Sequence, residues 1–198
     1  LYLRGDHPDQ IDTLLDEAIA HARRHFIESY IGIGLALKGL NAVRTDLVGS
    51  TLVTEGLGLL SKSNYEVFHP FFLTEFARLR AQAGAHLHDE EVSALLQLET
   101  GGSENWSSAE VRRNLGEILL LKGEEARAAQ LFADAADCAE RQGALAWALR
   151  TALSLARSAA DEDSRCLARK HLEGLLRRFT EGEQTADLQA AALFLATS

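Results

Sequence analysis

The sequence contains no methionine, only two prolines and only two cysteines. It also lacks any long alternation of polar and β-branched apolar residues. Strands therefore have no support, and the expected structure is helical throughout. Apolar runs such as Ile31–Leu37 fall far short of the ~20 residues that a membrane-spanning helix needs. Cations are in the minority, with 20 Lys and Arg against 29 Asp and Glu and a net charge of −9. A balance of that sign argues against nucleic acid, whose phosphates need a basic face. Without methionine, residue 1 does not read as a translation start, and the chain reads as a piece of a longer protein. No charged-then-apolar leader opens it, and a cytoplasmic location is expected. Cys138 and Cys166 both fall on expected helices and read as reduced thiols, with a disulfide left open by sequence alone.

What is present is a helical hairpin written several times. Ser107 followed by Glu110 three residues later has the spacing of a capping box, with Trp106 and Val111 placed for a hydrophobic staple. Then comes Arg112-x2-Leu115-Gly116-x2-Leu119, a break at Lys122-Gly123, and a second helix carrying Ala128-x3-Phe132-x2-Ala135. The small residues admit a close neighbour and the large ones fill the space beside it. Similar wording recurs downstream as Arg150-x2-Leu153-Ser154-x2-Arg157 with Ala168-x3-Leu172-x2-Leu175. It recurs upstream as Leu73-x2-Phe76-Ala77-x2-Arg80 with Ala94-x3-Leu98, and as Glu28-x2-Ile31-Gly32-x2-Leu35 with Gly49-x3-Val53-x2-Gly56. Units lie about 34 to 45 residues apart, the excess falling in turns at Asn41–Asp46 and Ala85–Asp89.

In chain order, residues 1–8 read as a tail or linker, and residues 9–99 as the first set of hairpins. Asp9–Arg24 is expected to be amphipathic, with Ile11, Leu14, Leu15 and Ile19 partly exposed, or covered by the Leu1–Leu3 tail or a second copy of the chain. Phe26–Lys38 is expected to end at Gly39 as a cap, followed by helices over Leu47–Leu60, Pro70–Ala83 and Glu90–Glu99. Residues 100–105, Thr100-Gly-Gly-Ser-Glu-Asn105, read as a flexible linker. Residues 106–198 supply the remaining hairpins and a capping helix opened by Thr185, with Asp187 near its positive end. The expected fold is an all-α solenoid of about ten helices in antiparallel pairs forming a right-handed superhelix, closed by that C-terminal helix.

The hairpin resembles a tetratricopeptide (TPR) unit in which Arg112 and Leu119 replace the usual aromatics. A longer resemblance is carried by Leu115-Gly116-Glu117-x-Leu119-Leu120, Arg141-Gln-Gly143, Trp147-x-Leu149-Arg150, Thr151-x2-Ser154-Leu-Ala-Arg157 and Phe179-Thr-Glu-Gly182-x2-Thr185-Ala-Asp-Leu188. Together these resemble the C-terminal TPR-like region of large bacterial predicted ATPases, the signal-transduction ATPases with numerous domains. In that family a winged-helix DNA-binding domain or an adenylate/guanylate cyclase domain and a nucleotide-binding ATPase precede the helical repeats. The resemblance implies a non-catalytic sensing or protein-contact array, regulating its own ATPase or output domain or engaging a partner protein. A free-standing TPR adaptor bridging two partners is the alternative. No Gly-x4-Gly-Lys-[Ser/Thr] loop is present, no catalytic residues carry over, and no cofactor is expected.

His21-x3-His25 and His86-x-His88-Asp89-Glu90 have spacings a metal could use, but surface histidines and a helix cap account for them more simply. In TPR-like arrays the first helix of each hairpin lines a concave face. By that resemblance Phe26, Ser29, Phe71, Thr74, Arg78, Glu110, Arg113, Glu117 and Thr151 line a groove for a peptide, a partner domain or a small effector. The competing reading is a solvated face with ion pairs such as Glu110–Arg113 and Arg113–Glu117. Neither nucleic acid nor membrane is expected as a partner, whereas a homodimer through the N-terminal end is a candidate.

Overall fold

The computed structural model describes residues 8–43, 49–100 and 104–197. Among these the chain is all-helical, with ten α-helices and no strand. In order they are α1 (Pro8–Arg24), α2 (Glu28–Val43), α3 (Ser50–Lys62), α4 (His69–Gln82), α5 (Asp89–Thr100), α6 (Ser108–Leu121), α7 (Glu125–Arg141), α8 (Leu145–Ser158), α9 (Glu162–Leu176) and α10 (Ala186–Thr197). A 3-10 turn, Glu66–Phe68, leads into α4. No helix among the described residues is long and apolar enough to cross a membrane. Two compact units divide the chain, one formed essentially by residues 7–101 and the other by residues 102–198.

In the first unit, α2 packs against both α1 and α3. Its glycines decide how closely. A Cβ built on Gly32 would stand 2.8 Å from the Gly56 carbonyl oxygen, and one on Gly39 would stand 2.7 Å from the carbonyl oxygen of Gly49. Two helix backbones therefore meet directly along this seam. Gly34 faces the other way and receives the Ile19 side chain of α1. Gly39, expected as a cap, is instead buried inside α2, because the seam needs its missing side chain more than the helix needs a stop. Ile11 and Ile19 of α1 are buried, Leu15 is half-buried, and Leu14 is 55% exposed. The unit's core gathers Ala36, Leu40, Val43, Val53, Leu60, Phe72 and Leu79. The turn expected at Asn41–Asp46 lies mostly outside the described residues, although α2 itself continues to Val43.

In the second unit, α6 pairs with α7, and α8 packs on both α7 and α9. Phe132 is fully buried, with its ring lying on the backbone of Gly116, where an added Cβ would stand 2.6 Å from Cε1. A buried cluster that includes Ala109, Cys138, Leu149, Ala152, Leu172 and Leu188 joins α6 through α10. Residues 101–103 of the expected linker lie outside the described residues. Thr100 ends α5, while Glu104 and Asn105 are tied down. The Glu104 carboxylate accepts from Arg112 at 2.8 Å and Arg141 at 2.5 Å, and the Asn105 carbonyl accepts from Gln142 at 2.7 Å.

Five helices end in one kind of turn. After α1, α3, α4, α6 and α7 the chain passes through a left-handed residue flanked by the paired backbone bonds of a Schellman motif. Gly84, Gly123 and Gly143 occupy that position in three of them, and Asn64 (φ +53°) in a fourth. After α1 the residue is Phe26, at φ +57°, with Ile27 N donating to Ala22 O at 3.0 Å and Phe26 N to Arg23 O at 3.2 Å. A left-handed backbone costs a residue with a Cβ roughly 1–2 kcal/mol.

The helix caps differ from expectation. Ser107 stands at the N-cap position of α6, but its hydroxyl donates back to Asn105 Oδ1 at 2.9 Å and makes no cap bond. The capping box does not form because Glu110 is held by arginines. The Thr185 hydroxyl, expected to cap α10, is buried without a hydrogen-bond partner. A side-chain cap does form at α9, where Asp161 accepts from Ser164 N at 2.8 Å and Ser164 Oγ at 2.7 Å.

Candidate functional site

The sequence-expected groove residues are not brought to one solvent-facing strip. Thr74, Arg78, Glu110, Arg113 and Thr151 are buried, Ser29, Phe71 and Glu117 are half-buried, and Phe26 alone is open to solvent. The ion pairs anticipated on a wet surface exist, but they are internal. The physical reason is charge matching: a guanidinium forked onto a carboxylate one turn away satisfies most of its donors within one helix, so both can leave water.

On α6, Arg113 donates through Nε to Glu110 Oε2 at 2.9 Å and through Nη2 to Glu110 Oε1 at 2.8 Å. Its Nη1 donates to Glu117, one turn further on, and Nη2 also reaches Asn114 Oδ1 at 2.6 Å. Glu110 is 0% exposed. From α8, Arg150 donates to Glu110 Oε1 at 3.0 Å, and Ser154 donates to Glu117 Oε1 at 2.8 Å. From α10, Asp187 accepts from Arg150 Nε at 2.7 Å. Three helices that are distant in sequence are thereby fastened by one web of two arginines and three carboxylates. Thr151, one residue after Arg150, is 0% exposed and its hydroxyl has no partner.

The same fork is built on α4. Arg78 donates through Nε to Glu75 Oε2 at 3.0 Å, through Nη2 to Glu75 Oε1 at 2.6 Å, and through Nη1 to Gln82 Oε1 at 2.7 Å. Glu75, Arg78 and Gln82 correspond atom for atom to Glu110, Arg113 and Glu117, each 35 residues later. This register differs by four residues from the one suggested by aligning Phe76-Ala77 with Leu115-Gly116. The Thr74 hydroxyl, beside the fork, donates to the Pro70 carbonyl at 2.7 Å.

Sequence reading missed Glu75, Asn114, Arg150, Ser154 and Asp187. The spacing Glu-x2-Arg-x3-Gln/Glu, present twice, is the signal that finds the two forks. Nothing local marks Arg150 or Asp187, which join from 40 residues beyond Glu110 and 37 beyond Arg150.

The histidine pairs take no part in this web. The His21 and His25 rings lie 4.5 Å apart and those of His86 and His88 5.1 Å apart. Among the described residues no group of three or more His, Cys, Asp or Glu side chains is arranged to hold a metal ion. Cys138 is buried and Cys166 exposed, both as free thiols. Burial, reinforced by the nearby Glu104 carboxylate, pushes the Cys138 thiol up. Hydrogen bonding from Arg112 holds the Glu104 carboxyl below its usual range. A cleft of about 220 Å³ opens at the α7–α8 turn, lined by Ala139, Glu140, Gly143, Leu145, Ala148 and Arg178. No protein-family model matches the chain, and neither a curated protein nor a solved structure matches it.

Proposed function

We propose that the chain is a non-catalytic helical-repeat domain of the TPR-like kind, built to contact another protein or domain, and that it forms the C-terminal part of a bacterial signalling ATPase or transcriptional regulator. The observation that carries the repeat reading is the duplicated fork, Glu75–Arg78–Gln82 on α4 and Glu110–Arg113–Glu117 on α6, with the same three donor atoms on each arginine. A duplicated internal lock supports descent from one repeated unit. The shared left-handed turns and the glycine and alanine seams between paired helices support the same reading. In this role the web of Arg150 and Asp187 holds the last helix onto the array as a cover for its end. The TPR assignment, the superhelix, the cytoplasmic setting and the attached ATPase belong to the proposal.

The reading frame upstream of Leu1 tests it. A nucleotide-binding ATPase domain preceded by a winged helix or a cyclase domain is the expected result. ATPase turnover of that longer protein should then change when residues 1–198 are removed. A frame that opens at this region, or an ATPase indifferent to its removal, overturns the regulatory reading and leaves the free-standing adaptor.

A further inference from the structure

Phe26 breaks a rule that the rest of the chain obeys. At four equivalent turns the left-handed residue is glycine or asparagine, whereas here it is an aromatic that is 89% exposed. The strain returns no burial within its own unit. Consistency elsewhere makes such a position a candidate for function. Its surroundings are apolar and open: Ile27 and Tyr30 beside it on the α1–α2 corner, and Leu14 on the same outer side of α1, are all exposed. Glu17, Ala18, Ala20, His21 and Arg24 continue that open side along α1.

The charges on this face are self-complementary. Glu17 and Arg24 are seven residues apart and so share one side of α1, ~10 Å from each other along the axis. Neither makes an ion pair among the described residues. A second α1 laid antiparallel about the midpoint, near Ala20 and His21, sets each Glu17 against the other copy's Arg24. The same operation brings the Leu14 end of each α1 toward the Phe26 corner of the other copy. That is the pattern of an isologous two-fold contact, in which one patch recognises itself.

We propose that the exposed face of α1 and its corner form a two-fold interface that takes a second copy of this chain, with Phe26 as the anchor and Glu17–Arg24 pairs exchanged across the axis. The interface goes beyond the repeat-domain reading and does not depend on it. One face of a 17-residue helix is small beside a standard interface of ~1,600 Å², so the dimer is reversible.

The test is sedimentation velocity of the full 198-residue chain across the micromolar range. The expected result is a monomer–dimer equilibrium. Phe26→Gly restores the residue the turn favours, so its fold is safe, and it should weaken dimerisation at least tenfold. Glu17→Arg and Arg24→Glu should each weaken it similarly, and the double exchange E17R/R24E should recover most of the loss. Recovery is a readout that general damage to the helix would not produce. A chain that stays monomeric throughout overturns the proposal and leaves this face to a different protein or to a preceding part of a longer chain. A dimer indifferent to Phe26→Gly, or single charge variants not rescued by the exchange, overturns it equally. None of these results bears on the upstream reading frame, so the two proposals fail separately.

Discussion

Phe132 and Gly116 are the tightest large-on-small contact of the second unit, and they can be tested as a pair. Phe132→Ala should cost about 3–5 kcal/mol, the range for emptying a buried phenylalanine site. Gly116→Ala should cost about 1–3 kcal/mol by overpacking, since the ring it would strike is itself fully buried. Urea unfolding with an unchanged slope would read both losses. The charged residues separate by burial in the same way. Glu110→Ala removes the fully buried carboxylate that Arg113 and Arg150 share, leaving Arg113 to Glu117 and Arg150 to Asp187, and should cost about 3 kcal/mol. Glu124→Ala, which removes the outer partner of Arg127, should cost less than about 1 kcal/mol. Equal effects would mean that the web contributes nothing through its burial. The thiols give a chemical readout: an aromatic disulfide reagent should label Cys166 at once and Cys138 only on unfolding. Because the Cys138 thiol is raised in the folded state, its contribution to stability is present below the ordinary thiol pKa and is lost as pH rises through the raised one. Asp161, held low chiefly by its hydrogen bond from Ser164 N, acts in the opposite sense. Its contribution is present above the ordinary carboxyl range and is lost as pH falls through the lowered value. Protection factors of the amides in the first turn of α9, taken relative to the intrinsic exchange rate at each pH, should therefore fall on acidification.

At the scale of elements, the all-helical character was legible because apolar residues recur at helical spacing and strand signals are missing. The glycine seam was legible only as an expectation of close approach. Which glycine would cap and which would pack was not, because Gly39 carries no local mark to separate the two roles. Its fate is decided by Gly49, ten residues on and at the start of another helix. Caps were misread for a related reason. Ser107-x2-Glu110 has the right spacing for a capping box, but the competing partners of Glu110 come from Arg113 and from Arg150, 40 residues away. The Glu110–Arg113 and Arg113–Glu117 pairs were legible from their spacing but not their burial, since sequence does not reveal how deeply a matched pair lies. Gly56→Ala tests the seam directly. Its Cβ would meet backbone atoms, the Gly32 carbonyl at 2.6 Å and the Ala36 nitrogen at 2.7 Å, which cannot swing aside as a side chain would. A loss of about 1–3 kcal/mol is expected from thermal unfolding, and a neutral result would mean that the helices separate easily.

At the scale of the molecule, the second unit has its own core and its own charge web. Residues 102–198 expressed alone should therefore keep a helical circular dichroism spectrum and a cooperative melt, with Glu110→Ala lowering that melt as it does in the whole chain. A non-cooperative trace would show that this unit is completed by the rest of the protein. The seam in the other unit has a geometric consequence. Gly32 and Gly39 are seven residues apart, and so are Gly49 and Gly56 facing them. Seven residues fall ~20° short of two full turns in a straight helix. A drift that small over one heptad keeps both glycine contacts on nearly the same side of each helix, so the two backbones can meet at both. The spacing of four glycines thus gives the hairpin one common line of contact, and inserting a single residue between Gly32 and Gly39 would rotate one of them by ~100° and take it off that line.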